Sequence, residues 1–157
     1  MENSKWYCKL PWTGFSNDPD GKARPCCLYK GFIKDEAGKE MYVQTHSVKE
    51  IFTSKYMKDL REEFRAGGKP AGCETCIVDE QNNYTSKRQR YNDDFLTPDY
   101  DSEPEFPIEY QMILSNACNL KCRSCTPSHS SLWQAEHKMI WGNTGYRMPE
   151  GQSGEND

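Results

Sequence analysis

The sequence predicts an α+β fold in two parts. An apolar helical stripe over 48–64 follows short strand-like runs, and an apolar strand pattern over 108–114 follows the acidic, proline-bearing stretch 92–106. We therefore expect four segments: a first module of a short β-hairpin plus helices at 1–91, a linker at 92–106, a second module starting at 107–141, and a disordered tail or cut end at 142–157.

The first module is expected to begin with loops and short strands. Residues 16–21 carry strong turn chemistry, because they combine Asn, Asp, Pro and Gly. The run 23–33, which holds Cys26 and Cys27, is expected to be a strand.

Helices follow. Ser47 and Glu50 form a capping box at the start of the apolar stripe, and Thr53-Ser54 is expected to divide that stripe into two helices. Gly67-Gly68 should end it. The polar stretch 79–93 predicts an exposed helix whose basic run, Lys87-Arg88-Gln89-Arg90, forms a solvated face.

The second module opens with the strand predicted over 108–114. Ser128 or Ser130 is expected to cap a helix that carries Leu132, Trp133 and Trp141.

Composition excludes several classes of function. Among 157 residues, 20 Lys and Arg face 24 Asp and Glu, and the net charge of −4 argues against a nucleic-acid partner. The mean hydropathy is −0.97, and no apolar run reaches the length of a membrane helix. The N-terminus lacks the apolar region of a signal peptide, so we expect a cytoplasmic protein without a membrane partner.

The eight cysteines are the main functional signal. In a reducing compartment, clustered cysteines favour metal ligation over disulfides. They form two groups: Cys8, Cys26, Cys27, Cys73 and Cys76, then Cys118, Cys122 and Cys125.

The second group has the spacing C-x3-C-x2-C directly after the predicted strand. Cys118, Cys122 and Cys125 can hold three irons of a 4Fe–4S cluster and leave the fourth iron open. This arrangement resembles the radical S-adenosylmethionine (SAM) enzymes. The resemblance implies that SAM binds at the open iron and is cleaved reductively to a 5′-deoxyadenosyl radical.

The first group is spaced C-x12-G-x4-C and then C-x2-C. Two separated half-sites that converge are a common way to build a four-thiolate site. The pattern resembles the twitch domain, the shortened relative of the SPASM domain. The resemblance implies that Cys8, Cys26, Cys73 and Cys76 bind an auxiliary 4Fe–4S cluster, and that Cys27 is the spare thiol.

Together the two groups resemble radical SAM proteins with an N-terminal twitch domain, over residues ~5–141. The resemblance implies that 107–141 forms the first β/α unit of an incomplete TIM-like radical SAM barrel. It also implies an electron donor such as flavodoxin or ferredoxin and a small-molecule or peptide substrate. Since only residues 126–157 follow Cys125, we expect an inactive fragment of a longer enzyme.

Zinc is the alternative occupant of the first group, because four thiolates suit a tetrahedral structural zinc ion. On that interpretation the chain is a non-catalytic metal-binding module. In the second group, His129 is the residue that would complete a zinc site.

Overall fold

A computed structural model describes residues 5–93 and 102–145 of the chain. The described residues form two compact units, the first within 1–17 and 22–112, the second within 18–21 and 113–157. The predicted α+β class is confirmed, because the elements are mixed: helices α1 (Leu10–Thr13), α2 (Val48–Phe52), α3 (Lys55–Arg65), α4 (Glu74–Gln81), α5 (Lys87–Asn92) and α6 (Gln134–Trp141), and strands β1 (Gly14–Asn17), β2 (Ala23–Arg24) and β3 (Glu109–Gln111).

The sheet has the order β2-β1-β3. Strands β1 and β2 form the predicted antiparallel hairpin, whereas β3 pairs in parallel with β1, so that Gly14 lies opposite Glu109. The strand predicted over 23–33 was too long, because β2 ends just before Pro25, which has no N–H to donate to a ladder. The strand predicted over 108–114 is likewise confirmed only as the short β3, whose partner β1 has four residues.

The helical stripe folds as predicted. Ser47 Oγ accepts a hydrogen bond from the Glu50 N–H, and the Glu50 carboxylate accepts one from the Ser47 N–H at 2.7 Å, which completes the capping box. The helical stripe is interrupted at Thr53, and Ser54 caps α3. Both helices bury their apolar faces in one core, whose most buried large side chains include Trp12, Phe52 and Met57.

The prediction of a single helix over 79–93 is wrong, because two helices share this stretch. Helix α4 ends at Gln81, Asn83 adopts a left-handed backbone with φ of 61°, and α5 begins after its own capping residue, Ser86. The solvated face predicted for the basic run holds for Gln89 and Arg90, which are exposed, but not for Arg88, which is only 8% exposed.

The second unit carries the helix predicted after Cys125. A 3₁₀ turn, Ser131–Trp133, follows Ser130 and continues into α6, which ends at Gly142 with φ of 75°. Of the predicted linker and tail, 94–101 and 146–157 lie outside the described residues, and the predicted domain boundaries stay predictions. Within the described part of the chain, each helix is too short or too polar to cross a bilayer.

Candidate metal centre

Four cysteines of the first unit come from three separate segments. Cys8 precedes α1, Cys26 follows β2, Cys73 ends a 3₁₀ turn, and Cys76 lies in the first turns of α4. Cys8 and Cys76 are buried, and Cys26 and Cys73 are half-buried. The fold therefore gathers thiols that are far apart in sequence into the apolar part of one small unit.

These thiols act on one another electrostatically. Burial raises the pKa of the Cys8 thiol to about 12, the Leu10 N–H opposes this effect, and the charges of Cys26 and Cys76 add to it. Burial likewise raises the pKa of Cys73, and the charges of Cys8, Cys26 and Cys76 raise it further. A cationic group bound among these thiols would offset both effects.

Cys26 and Cys27 differ in their surroundings. Burial raises the pKa of Cys26, and the charges of Cys27 and Cys76 add to it. Cys27 Sγ instead accepts a hydrogen bond from Lys87 Nζ at 3.2 Å. Cys26 is thus the member of the pair whose charge acts on Cys8 and Cys73.

The Cys26 segment is joined to the Cys73 segment by backbone and side-chain contacts. The Lys30 N–H donates to Gly72 O at 2.8 Å, and Thr75 Oγ1 donates to Leu28 O at 3.4 Å. Gly72 is required at this point, because a Cβ there would lie 2.2 Å from Tyr29 Cζ. The tight approach of Tyr29 to Gly72 fixes the distance between the two segments.

Helix α5 holds the Cys8 segment in place through hydrogen bonds. Arg88 Nη1 and Asn92 Nδ2 donate to Tyr7 O at 2.7 and 2.8 Å. The Lys9 N–H donates to Asn92 Oδ1 at 3.1 Å. Both residues that flank Cys8 are therefore fixed by one short helix.

Arg88 reaches Tyr7 because a carboxylate orients it. Glu80 accepts two hydrogen bonds from the Arg88 guanidinium, one of them from Nε at 3.0 Å, and both side chains are largely buried. Burial raises the pKa of Glu80, but the hydrogen bonds from Arg88 and Ser86 outweigh it and hold that pKa below its ordinary value. The pair stays ionised and links α4 to α5.

Sequence reasoning missed these roles of Arg88 and Asn92. Arg88 stands in a basic run with the pattern of a solvated face, and its partner Tyr7 is 81 positions away. The only local signal was the Ser86–Gln89 capping box, which marks where α5 begins.

Within residues 5–93 and 102–145, no group of three or more His, Cys, Asp or Glu side chains is placed to hold a metal ion. A four-iron cluster takes one thiolate at each iron, so its ligands need not converge on a single point. Four thiols on one buried patch fit the donor set of such a cluster.

The cysteines of the second unit lie on one loop. Cys122 is exposed, whereas Cys118 and Cys125 are half-buried. The Cys125 N–H donates to Cys122 O at 3.0 Å, and Trp133 Nε1 donates to the same oxygen at 3.1 Å. The buried Ser130 hydroxyl donates to Leu120 O at 2.8 Å.

The loop is therefore tied to the start of the following helix. His129 Nδ1 lies 3.2 Å from Thr126 Oγ1, and the His129 N–H donates to Thr126 O. These contacts give His129 a local structural role. The three thiols stay a candidate set whose ligand role is a prediction.

Comparison with known families adds a finding about the residues around the first site. Residues 8–77 match the SPASM family, an iron–sulfur cluster-binding domain. The SPASM match contains Cys8, Cys26, Cys73 and Cys76 and ends four residues before the end of α4. Neither the curated proteins nor the solved structures gave a match. The match supports the predicted iron–sulfur module, and the radical SAM part stays a prediction.

Proposed function

We propose that residues 8–77, together with α5, form a twitch-type module in which Cys8, Cys26, Cys73 and Cys76 bind an auxiliary 4Fe–4S cluster. One observation carries the proposal: the fold gathers these thiols from three separate segments, with Cys8 and Cys76 buried and with Cys26 and Cys73 half-buried against the core. The SPASM match over the same residues supports it.

We further propose that Cys118, Cys122 and Cys125 bind a second 4Fe–4S cluster, with SAM at its open iron. The spacing of these cysteines supports this, as does a SPASM module in the same chain. Such a cluster supplies the electron that cleaves SAM. The expected electron donor is a flavodoxin or ferredoxin, and the expected substrate is a small molecule or a peptide.

Anaerobic reconstitution of the full chain with iron and sulfide tests the first site. Replacing Cys118, Cys122 and Cys125 together by Ala leaves only that site. We expect this variant to bind four irons and four sulfides and to give the Mössbauer signature of a 4Fe–4S cluster. A colourless protein with one zinc ion per chain would instead establish the four-thiolate zinc site.

A matched pair of variants tests the ligand assignment. In the same background, Cys26→Ala should lower cluster content strongly, whereas Cys27→Ala should retain it. The two residues are adjacent and both half-buried, so a general effect of losing a thiol would appear in both variants. Loss of the cluster only in Cys27→Ala would reverse the assignment.

A further inference from the structure

Helix α5 lies outside the SPASM match yet belongs to the cysteine site. Arg88 and Asn92 fix the segment on both sides of Cys8, and Lys87 contacts Cys27 Sγ. The match ends at residue 77, ten positions before α5 begins. The site thus has a wall that lies outside the residues matched to the SPASM family.

Two cations of α5 face the cysteines, and their charges are compensated differently. Arg88 forms a buried ion pair with Glu80, so its charge is largely cancelled. Among the described residues, Lys87 Nζ contacts only Cys27 Sγ and the face of the Tyr91 ring, whose centroid is 4.9 Å away. The half-buried Lys87 therefore presents an ammonium without a carboxylate partner in that part of the chain.

The Lys87 ammonium lies beside the cysteine segment, because Lys87 Nζ is 3.2 Å from the Sγ of Cys27, the neighbour of Cys26. Burial lowers the pKa of Lys87, but the interactions with Cys27 outweigh it and hold that pKa above its ordinary value. Cys26, Cys27, Lys87 and Glu109 line a cavity of about 10 Å³, which admits about one water molecule. The Glu109 carboxylate accepts a hydrogen bond from the Tyr91 hydroxyl at 2.7 Å and forms no ion pair with Lys87.

We propose that Lys87 sets the reduction potential of the cluster held by Cys8, Cys26, Cys73 and Cys76, an inference that rests on the proposed function. Reduction adds one electron to the cluster, taken from an external one-electron donor of the flavodoxin or ferredoxin type, and no bond is formed or broken. A fixed positive charge next to the ligands stabilises the reduced state more than the oxidised state, and so raises the potential.

The test is a redox titration of the reconstituted full chain in the background that lacks Cys118, Cys122 and Cys125, with dithionite as donor. Lys87→Gln and Lys87→Met should each lower the equilibrium constant for reduction about tenfold, which is about 59 mV for a one-electron couple. Lys87→Arg keeps the charge and should keep the potential. Arg90→Gln removes an exposed charge from the same helix and should leave the potential unchanged.

Iron and sulfide content separates this inference from the proposed function. If the parent protein takes up no cluster, the proposed function fails. If it takes up a cluster and Lys87→Gln and Lys87→Met keep the parent potential, only the role of Lys87 is refuted. If Lys87→Gln and Lys87→Met both lose the cluster and Lys87→Arg keeps it, the proposed effect on the reduction potential is also refuted, because Lys87 would then be needed to bind the cluster.

Discussion

Arg61 offers the sharpest test of how the first unit is held together. Its guanidinium is fully buried on α3. Nε donates to Pro11 O and Nη2 to Phe52 O, each at 2.9 Å, while Nη1 pairs with Glu103 at 2.9 Å. One side chain thus joins α1, which follows Cys8, to the end of α2. Arg61→Met should uncouple these elements.

The loss in the free energy of unfolding that Arg61→Met should cause follows from these contacts. Two buried carbonyl oxygens, of Pro11 and Phe52, lose their donor, at about 1–3 kcal/mol each. The pair with the partly exposed Glu103 adds less than about 1 kcal/mol. We expect the free energy of unfolding to fall by about 4 kcal/mol, a large part of the ~5–15 kcal/mol typical of a domain.

Urea unfolding of the reduced, cluster-free full chain, followed by tryptophan fluorescence, measures this change. Arg65→Met is the matched control, because Arg65 lies one turn further along α3 and pairs with Glu103 at 2.6 Å, yet is 26% exposed. The control should lose less than about 1 kcal/mol. If Arg61→Met also lost less than about 1 kcal/mol, the buried bonds to the two carbonyls would not hold the unit together.

Three further predictions concern the cysteine site. Gly72→Ala should lower cluster content and lower the free energy of unfolding by about 1–3 kcal/mol, because its Cβ overlaps the Tyr29 ring. Adding Tyr29→Leu should restore both, and no rescue would refute the overlap. The cluster-free protein should lose stability between about pH 9 and pH 12, because Cys8 keeps its proton in the folded state up to about pH 12 whereas the unfolded thiol ionises near pH 8.5. The urea midpoint should therefore fall less steeply with pH in Cys8→Ala than in the parent protein, and an equally steep fall in both would contradict this prediction. Glu80→Gln should cost about 3–5 kcal/mol at pH 7 by leaving the Arg88 charge unpaired, and an unchanged midpoint would show that the pair is not effectively buried.

The helix caps, the helix break and the hairpin turn, which depend on residues close together in sequence, were predictable. The capping box at Ser47 and the break at Thr53 both appear where local hydrogen bonding places them. The same holds for the hairpin of β1 and β2, whose connection contains Asp, Pro and Gly. In each case the deciding partners lie within a few positions of one another.

Contacts between distant segments were not predictable. Nothing local indicates that β3 pairs in parallel with β1, since the paired residues, such as Gly14 and Glu109, are far apart in the chain. The burial of Arg88 depends on Glu80 and on Tyr7 O, and a basic run by itself has the pattern of a surface. The C-x12-G-x4-C spacing predicted Cys26 rather than Cys27 as the ligand, but it could not show that Lys87 lies against Cys27.

Burial of the thiols connects cluster binding to folding. Three segments must meet before Cys8, Cys26 and Cys73 share one patch, and the meeting itself raises the pKa of each thiol. Without a cluster, the site is therefore stable only with its thiols protonated. A cluster with a cationic iron core requires thiolates, so loading must release protons and must repay the cost of burying their charge. It follows that contacts far from any sulfur, such as the bonds of Arg61, will govern how well the cluster is retained.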